Sequence, residues 1–191
     1  MPATPLVAFD AMGVLYRSAD DVEELLVPYL REKGCALSRP EIDDLYHQCS
    51  LGRMPSATFW EKCGVAGDDA EYCERHELSE GIADLLAWVA ERGAPMAVLS
   101  NDVSEWSRAL RRRFGLGTCI HCWVVSGDVG HRKPGQAIYR AFLEQAGTAP
   151  DSVVFFDDRP ANVAAACRAG MRAHVFHDAE AARVILAEEV S

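Results

Sequence analysis

Short apolar segments alternate with amphipathic segments of helical periodicity along most of this chain. Such alternation is typical of a parallel β-sheet whose strands are joined by helices, because parallel strands need a long crossover connection. The segments that predict strands are residues 6–9, 96–99, 119–125, 153–156 and 173–176. The segments that predict the connecting helices are residues 81–92, 103–114, 134–145, 161–169 and 178–189. The sequence therefore predicts an α/β fold built on five parallel strands.

One region interrupts the alternation. Between residues 18 and 79 there is no strand-like run, and helical pieces cover residues 20–33, 39–49, 56–63 and 68–76. An insertion after the first strand lies at the carboxyl edge of the sheet, where open parallel sheets bind their ligands. We therefore expect a core domain of residues 1–17 and 80–191, with residues 18–79 forming a helical cap over it.

The composition argues against several classes of protein. Of the 191 residues, 49% are hydrophobic and 25% are charged, as in ordinary soluble globular proteins, and no run of residues predicts a membrane span. The net charge of −10 argues against nucleic-acid binding. Seven cysteines, an odd number, without a secretory signal predict reduced thiols and a cytoplasmic protein. The oligomeric state stays open between monomer and homodimer.

Polar residues mark the carboxyl ends of the predicted strands and the start of one connecting helix. They are Asp10, Ser100, Asn101, Lys133, Asp157 and Asp158. A single carboxylate after a strand is usually a helix cap or a loop residue. Four such positions, in order along the chain and at one edge of the sheet, indicate a functional site instead.

The residue types at these positions suit phosphoryl chemistry. A carboxylate nucleophile repels a phosphate monoester, so a cation has to lie between them. Mg²⁺ held by Asp10, Asp157 and Asp158 would provide that charge and polarise the phosphoryl oxygens. Lys133 would add a second positive charge beside the nucleophile and the phosphate. Asp10 could then attack phosphorus and form an aspartyl phosphate that water hydrolyses.

Two further residues are candidates for binding the phosphate group. The hydroxyl of Ser100 and the amide groups of Asn101 would donate hydrogen bonds to the remaining phosphoryl oxygens, together with Lys133. Gly13 would let the backbone turn sharply beside the incoming phosphate. The predicted ligand is therefore a small phosphorylated molecule.

These residues resemble the four sequence motifs of the haloacid dehalogenase (HAD) superfamily. The matching segments, in the family's order, are residues 9–15, 99–101, 130–134 and 155–163. The resemblance implies a Rossmann-like parallel sheet as the core, an inserted helical cap, Mg²⁺ as the cofactor and Asp10 as the nucleophile. It also implies that the main-chain carbonyl of Met12 binds the metal.

The cap carries a second resemblance. Leu51, Gly52 and Arg53, followed by Phe59 and Trp60, are similar to a subgroup that includes phosphatases acting on glucose 1-phosphate. Arg53 is therefore a candidate for contacting a sugar phosphate. Beside the paired carboxylates of the fourth motif, Arg159 is a candidate for substrate contact as well.

Met12 departs from the pattern of most phosphatases in this superfamily. They carry a second aspartate two residues after the nucleophile, which protonates the leaving group and then activates water. The thioether of Met12 cannot transfer a proton, and a positioned acid or base contributes about 10²–10⁴-fold in rate. Four residues could replace it: Tyr16, His47, Asp102 and His131.

Three interpretations of Met12 remain open. We favour a phosphatase whose leaving group departs easily or whose proton donor lies elsewhere. The second interpretation is a 2-haloacid dehalogenase, in which the aspartate attacks carbon; the paired carboxylates of the fourth motif disfavour an anionic haloacid. The third is a non-catalytic relative that binds phosphate or a partner protein.

Overall fold

A five-stranded parallel sheet forms the centre of the computed structural model, which describes residues 4–189. Its strands are β1 (Leu6–Phe9), β2 (Met96–Ser100), β3 (Cys122–Val125), β4 (Val153–Asp157) and β5 (Arg172–Val175). Across the sheet they follow the order β3-β2-β1-β4-β5. The chain adds β2 and β3 on one side of β1, and then β4 and β5 on the other side. The strand order therefore reverses between β1 and β4, and the crevice at the carboxyl ends of these two strands is the expected ligand site. The predicted α/β fold is confirmed.

Helices cover both faces of the sheet. All four residues of β1 are buried; Val7 and Phe9 pack into one apolar cluster, and Leu6 and Ala8 into another, because successive strand residues point to opposite faces. The core helices are Ile82–Glu91, Ser104–Arg113, Ser126–Val129, Gln136–Ala146, Pro160–Arg168 and Ala179–Glu189. Among the described residues, none of the helices has the length and hydropathy to cross a membrane.

The third strand is shorter than the sequence predicts. The sequence predicts a strand over residues 119–125, but the strand begins at Cys122. The residues before it continue a 3₁₀ turn at Leu116–Thr118, since the backbone N–H groups of Cys119 and Ile120 both donate to the carbonyl of Leu116. Apolar residues in a buried turn and in a buried strand look alike at this length.

Between β1 and β2, the regular elements of the predicted cap region are all helical. They are a π-helical turn at Val22–Leu26 and the helices Val27–Glu32, Arg39–Cys49, Ser56–Lys62 and Asp69–Cys73. The helix Arg39–Cys49 begins with a capping box, in which the backbone N–H of Ser38 donates to the Glu41 carboxylate at 2.7 Å. The domain limits stay a prediction, and residues 1–3 and 190–191 lie outside the described residues.

An aromatic cluster joins these inserted helices to the core. The rings of Trp60, in the insertion, and Trp106, in the helix after β2, lie 5.3 Å apart between centroids. Both indole N–H groups donate to the same oxygen of Asp69, at 2.8 and 2.7 Å. Because a buried indole N–H needs an acceptor, this carboxylate fixes how the insertion packs against the core helix.

Candidate active site

Three carboxylates meet where β1 and β4 end. The two strands are neighbours in the sheet, with Phe9 beside Phe156, so the next residues, Asp10 and Asp157, lie side by side. The backbone N–H of Asp10 donates to the carbonyl of Phe156 at 2.8 Å, which fixes this register. One carboxylate oxygen from each of Asp10, Asp157 and Asp158 lies within 4.8 Å of the other two. Carboxylate oxygens so arranged suit a hard divalent cation such as Mg²⁺.

Lys133 supplies positive charge to this cluster from inside the protein. Its side chain is fully buried, and Nζ lies 2.7 Å from Asp10 Oδ1 and 2.7 Å from Asp157 Oδ2. Nζ also donates to the carbonyl of Leu99, at the same distance. An ammonium group has three protons, so all three are committed and the position of the charge is fixed.

The two carboxylates of the Asp157–Asp158 pair differ in their surroundings. Besides Lys133, Asp157 accepts from the backbone N–H of Arg159 at 2.9 Å and from the Asn162 side chain at 3.0 Å. Within the described residues, the buried Oδ1 of Asp158 makes no hydrogen bond. A buried charged oxygen without a partner is costly, so Asp158 is the member of the pair that is free to bind a metal.

The environment of Asp10 also favours a nearby cation. The residue is buried, and burial raises the pKa of its carboxyl group to about 8, although Lys133 acts in the opposite direction. A nucleophile has to be ionised, so a cation beside Asp10 would favour the reactive form. The donor atoms that the cluster offers therefore fit Mg²⁺. Met12, whose main-chain carbonyl is the fourth predicted ligand, lines the same cavity.

Ser100 and Asn101, at the end of β2, occupy different roles in the site. The Ser100 hydroxyl is buried and has no hydrogen-bond partner among residues 4–189, so it is free to meet a ligand oxygen. The Asn101 side chain instead binds the backbone of Lys133, donating to its carbonyl at 3.0 Å and accepting from its N–H at 2.8 Å. Asn101 thereby holds the segment that carries the lysine.

A cavity of about 280 Å³ opens above the carboxylates, between the sheet edge and the inserted helices. Asp10, Asn101 and Arg159 line it, as a substrate site requires. Arg53 is not among the residues that line the cavity; it is exposed and donates to the Gln48 side chain at 2.8 Å. The structure thus brings one of the two predicted arginines to the cavity.

Several further residues that the sequence motifs do not indicate line this cavity, among them Asp21, Tyr46 and Arg132. Arg132 is half-buried, donates to the hydroxyl of Ser50 and has its guanidinium 5.5 Å from the Tyr46 ring centroid. Its position directly before Lys133 in the sequence is a signal that could have identified it as a site residue. Asp21 lies at the start of the first inserted helix, where an acidic residue reads as a cap.

Gly13 allows Asp158 to approach the nucleophile loop. Its φ is +74°, in the left-handed region, and a Cβ added there would lie 2.7 Å from both Cγ and Oδ2 of Asp158. Side chains other than hydrogen are disfavoured at this φ, and this one would also push the carboxylate away. Glycine at this position is therefore needed for the cluster of three carboxylates.

We expect Gly13→Ala to weaken Mg²⁺ binding and to lower the melting temperature. The left-handed backbone alone costs roughly 1–2 kcal/mol for a residue with a Cβ, and displacement of Asp158 adds the loss of a ligand. Gly93→Ala is the matched control, because Gly93 has a φ of +67° with nothing within 4 Å of the added Cβ. Equal Mg²⁺ affinity in the two variants, measured by calorimetry, would contradict this account of Gly13.

Comparison with known proteins shows the family to which the chain belongs. Residues 4–170 match the sequence family of haloacid dehalogenase-like hydrolases. Phosphoglycolate phosphatase 1 of Pseudomonas aeruginosa is 30% identical over 187 residues, covering 87% of this chain and 67% of that protein. A phosphoglycolate phosphatase of Pseudomonas putida is 30% identical over 105 residues, 53% of this chain. That match spans only 38% of the P. putida protein.

Solved structures share the fold. A HAD family enzyme of Bacteroides thetaiotaomicron superposes with a TM-score of 0.77 at 19% identity, covering 92% of this chain and 95% of that one. The wild-type form of that enzyme in complex with magnesium and inorganic phosphate gives 0.73 at 20% identity, covering 92% and 96%. A HAD phosphatase of Thermococcus onnurineus gives 0.73 at 19% identity, covering 98% and 100%.

Proposed function

The chain belongs to the haloacid dehalogenase-like hydrolases, and on that premise we propose that it is a Mg²⁺-dependent phosphatase of small phosphorylated metabolites. Asp10 is the proposed nucleophile. One observation carries the proposal: Asp10, Asp157 and Asp158 converge within 4.8 Å, with the buried ammonium of Lys133 against two of them. Such a cluster lets an anion approach a negatively charged nucleophile.

In the proposed site, Asp10, Asp158 and the main-chain carbonyl of Met12 would hold the metal. Asp157, which was also predicted as a ligand, would add its charge beside them while its oxygens bind Lys133, Arg159 and Asn162. When bound, Mg²⁺ supplies positive charge that polarises the phosphoryl oxygens. The proposal is supported by the complex of the B. thetaiotaomicron enzyme, which contains magnesium and inorganic phosphate. The unpaired oxygen of Asp158 supports it from within this chain.

The protein's own groups then carry out the transfer. Lys133 orients the Asp10 carboxylate and, together with the metal charge, favours its ionised form, so that its free oxygen can attack phosphorus in line with the leaving group. The Ser100 hydroxyl, which has no partner among the described residues, donates a hydrogen bond to a phosphoryl oxygen. Asn101 acts mainly by holding the backbone of Lys133 in place. The product of this step is an aspartyl phosphate on Asp10, which water hydrolyses.

The substrate is proposed to be small and anionic. The cavity of about 280 Å³ suits a molecule of a few carbons, and Arg132 and Arg159 place positive charge on its wall. Relatives named phosphoglycolate phosphatases make phosphorylated acids the first compounds to test. Sugar phosphates are also proposed as substrates, because the cap residues resemble those of phosphatases that act on glucose 1-phosphate.

The cysteines between residues 35 and 167 are free thiols, which fits the predicted cytoplasmic location.

A substrate screen with and without Mg²⁺ tests the proposal. We expect hydrolysis of phosphate esters, phosphoglycolate and glucose 1-phosphate among them, that EDTA abolishes and excess Mg²⁺ restores; released phosphate is the measurement. The dehalogenase interpretation predicts instead that 2-haloacids release halide without metal. Phosphate release at the same rate in EDTA would refute the metal assignment. Absence of hydrolysis for every ester would refute the activity.

A further inference from the structure

Asp21 is a buried carboxylic acid on the wall of the active-site cavity. It lines the same cavity as Asp10 and Met12, and only 5% of the residue is exposed. It stands directly before the inserted helical segment that starts at Val22, yet its side chain makes no capping hydrogen bond. The neighbouring Asp20 performs that task, accepting the backbone N–H of Glu23 at 3.1 Å. Asp21 is therefore buried without the structural use that usually explains an acid at a helix start.

The surroundings of Asp21 move the titration of its carboxyl group closer to neutral pH than that of an ordinary aspartate. Burial raises the pKa of its carboxyl group to about 6, with the charge of Asp20 adding to the effect. The hydroxyl of Tyr72, which donates to Oδ2 at 3.4 Å, and the Arg159 guanidinium act in the opposite direction. Other titratable or charged groups on the wall of this cavity are Asp10, Arg39, Asp43, Tyr46, His47 and Arg132, and the charge of Asp102 acts on the same region.

The other candidates for the missing acid fit less well. His131 is exposed, and it is not among the residues that line the cavity. Tyr16 and Asp102 are buried and, like His131, do not line it; burial raises the pKa of both groups well above the ordinary value. His47 lines the cavity, but desolvation and the nearby arginines lower the pKa of its imidazole and so disfavour the protonated form that a general acid needs.

We propose that the carboxyl group of Asp21 is the proton donor and acceptor that stands in for the acid missing at Met12; this rests on the proposed phosphatase activity. As an Asp10 oxygen bonds to phosphorus and the bond from phosphorus to the leaving oxygen breaks, Asp21 gives its proton to that oxygen and an alcohol departs. The Asp21 carboxylate then takes a proton from water. The water oxygen bonds to phosphorus and the bond from phosphorus to Asp10 breaks, so that phosphate leaves, Asp10 is again a carboxylate and Asp21 again carries its proton.

Two esters with different leaving groups test this role with Asp21→Asn. Phosphoglycolate releases an alkoxide, which needs a proton, whereas p-nitrophenyl phosphate releases a stable phenolate, which does not. We expect kcat/KM for phosphoglycolate to fall about 10²–10⁴-fold and kcat/KM for p-nitrophenyl phosphate to be nearly unchanged. With the second ester, the variant should also accumulate aspartyl phosphate, because the water-activating base is lost; acid quench and mass spectrometry detect it.

A merely structural role for Asp21 would lower both values alike, and that outcome, or no change in either, overturns the assignment. Asp43→Asn is the matched control, since it exchanges another carboxyl group on the same cavity wall for an amide. It should keep the wild-type ratio of the two kcat/KM values. If the wild-type protein hydrolyses neither ester with Mg²⁺, the proposed function itself fails.

The wild-type pH profile gives a measurement that needs no variant. A proton donor has to be protonated, so kcat/KM for phosphoglycolate should fall as the pH rises through about 6. After correction for the ionisation of each ester, p-nitrophenyl phosphate should not show this fall. Profiles of the same shape for the two esters would overturn the role of Asp21, whether or not the Asn variant folds.

Discussion

Asp10→Asn should abolish turnover, with kcat reduced by roughly 10³-fold or more, while the protein stays folded. An amide nitrogen cannot replace the carboxylate oxygen as a nucleophile, and no phosphorylated enzyme should form. Stability should change little, because burial already disfavours the charged form of Asp10, and Lys133 keeps Asp157 and the Leu99 carbonyl as partners. Steady-state kinetics and thermal melting measure the two effects.

The neighbouring carboxylate provides the comparison for that variant. Asp158→Asn should weaken Mg²⁺ binding, so that part of the lost activity returns at high Mg²⁺ concentration. Asp10→Asn should show no such return, because its defect is chemical. Turnover by the Asp10→Asn protein at a rate near that of the wild type would remove the nucleophile assignment.

Lys133→Met should cause the largest loss of stability, about 3–5 kcal/mol, because it leaves two buried carboxylates without their cation. Both lie 2.7 Å from Nζ in the native protein. The deficit should grow as the pH rises, since ionised carboxylates repel each other and protonated ones do not. Activity should be lost as well. Urea unfolding at several pH values measures the free energy of unfolding.

Lys62→Met is the control, since it removes the same charge from an exposed position. It should leave both stability and turnover near the wild-type values. A Lys133→Met protein as stable as this control, at every pH, would mean that Asp10 and Asp157 do not need the ammonium group. The electrostatic description of the cluster would then be wrong.

The sheet and its polar edge could be predicted because local pattern and fold agree there. β1 is a four-residue apolar run that ends in Asp10, and β4 a similar run that ends in Asp157. Parallel pairing then brings these ends together without further information. The start of β3 could not be predicted, since hydrogen bonds to Leu116, not composition, decide that Cys119 belongs to a turn.

The residues that line the cavity could not be predicted from the sequence, because contacts between distant segments decide which side chains face it. Asp20 and Asp21 are adjacent acids that both line the cavity, and only the packing of the inserted helices determines that the first is exposed and caps a helix while the second is buried. The same holds for arginines. Arg53 lies in the resembling cap motif but binds Gln48 at the surface, whereas Arg132 reaches the cavity.

The fixed ammonium of Lys133 has a consequence for how metal and substrate affect each other. With three ionised carboxylates and one lysine, the cluster carries a net charge of −2. A divalent cation brings this sum to zero, and a phosphate dianion then enters a neutral site instead of a repelling one. We therefore expect metal and phosphate affinities to be thermodynamically linked, each ligand strengthening the binding of the other by the same factor.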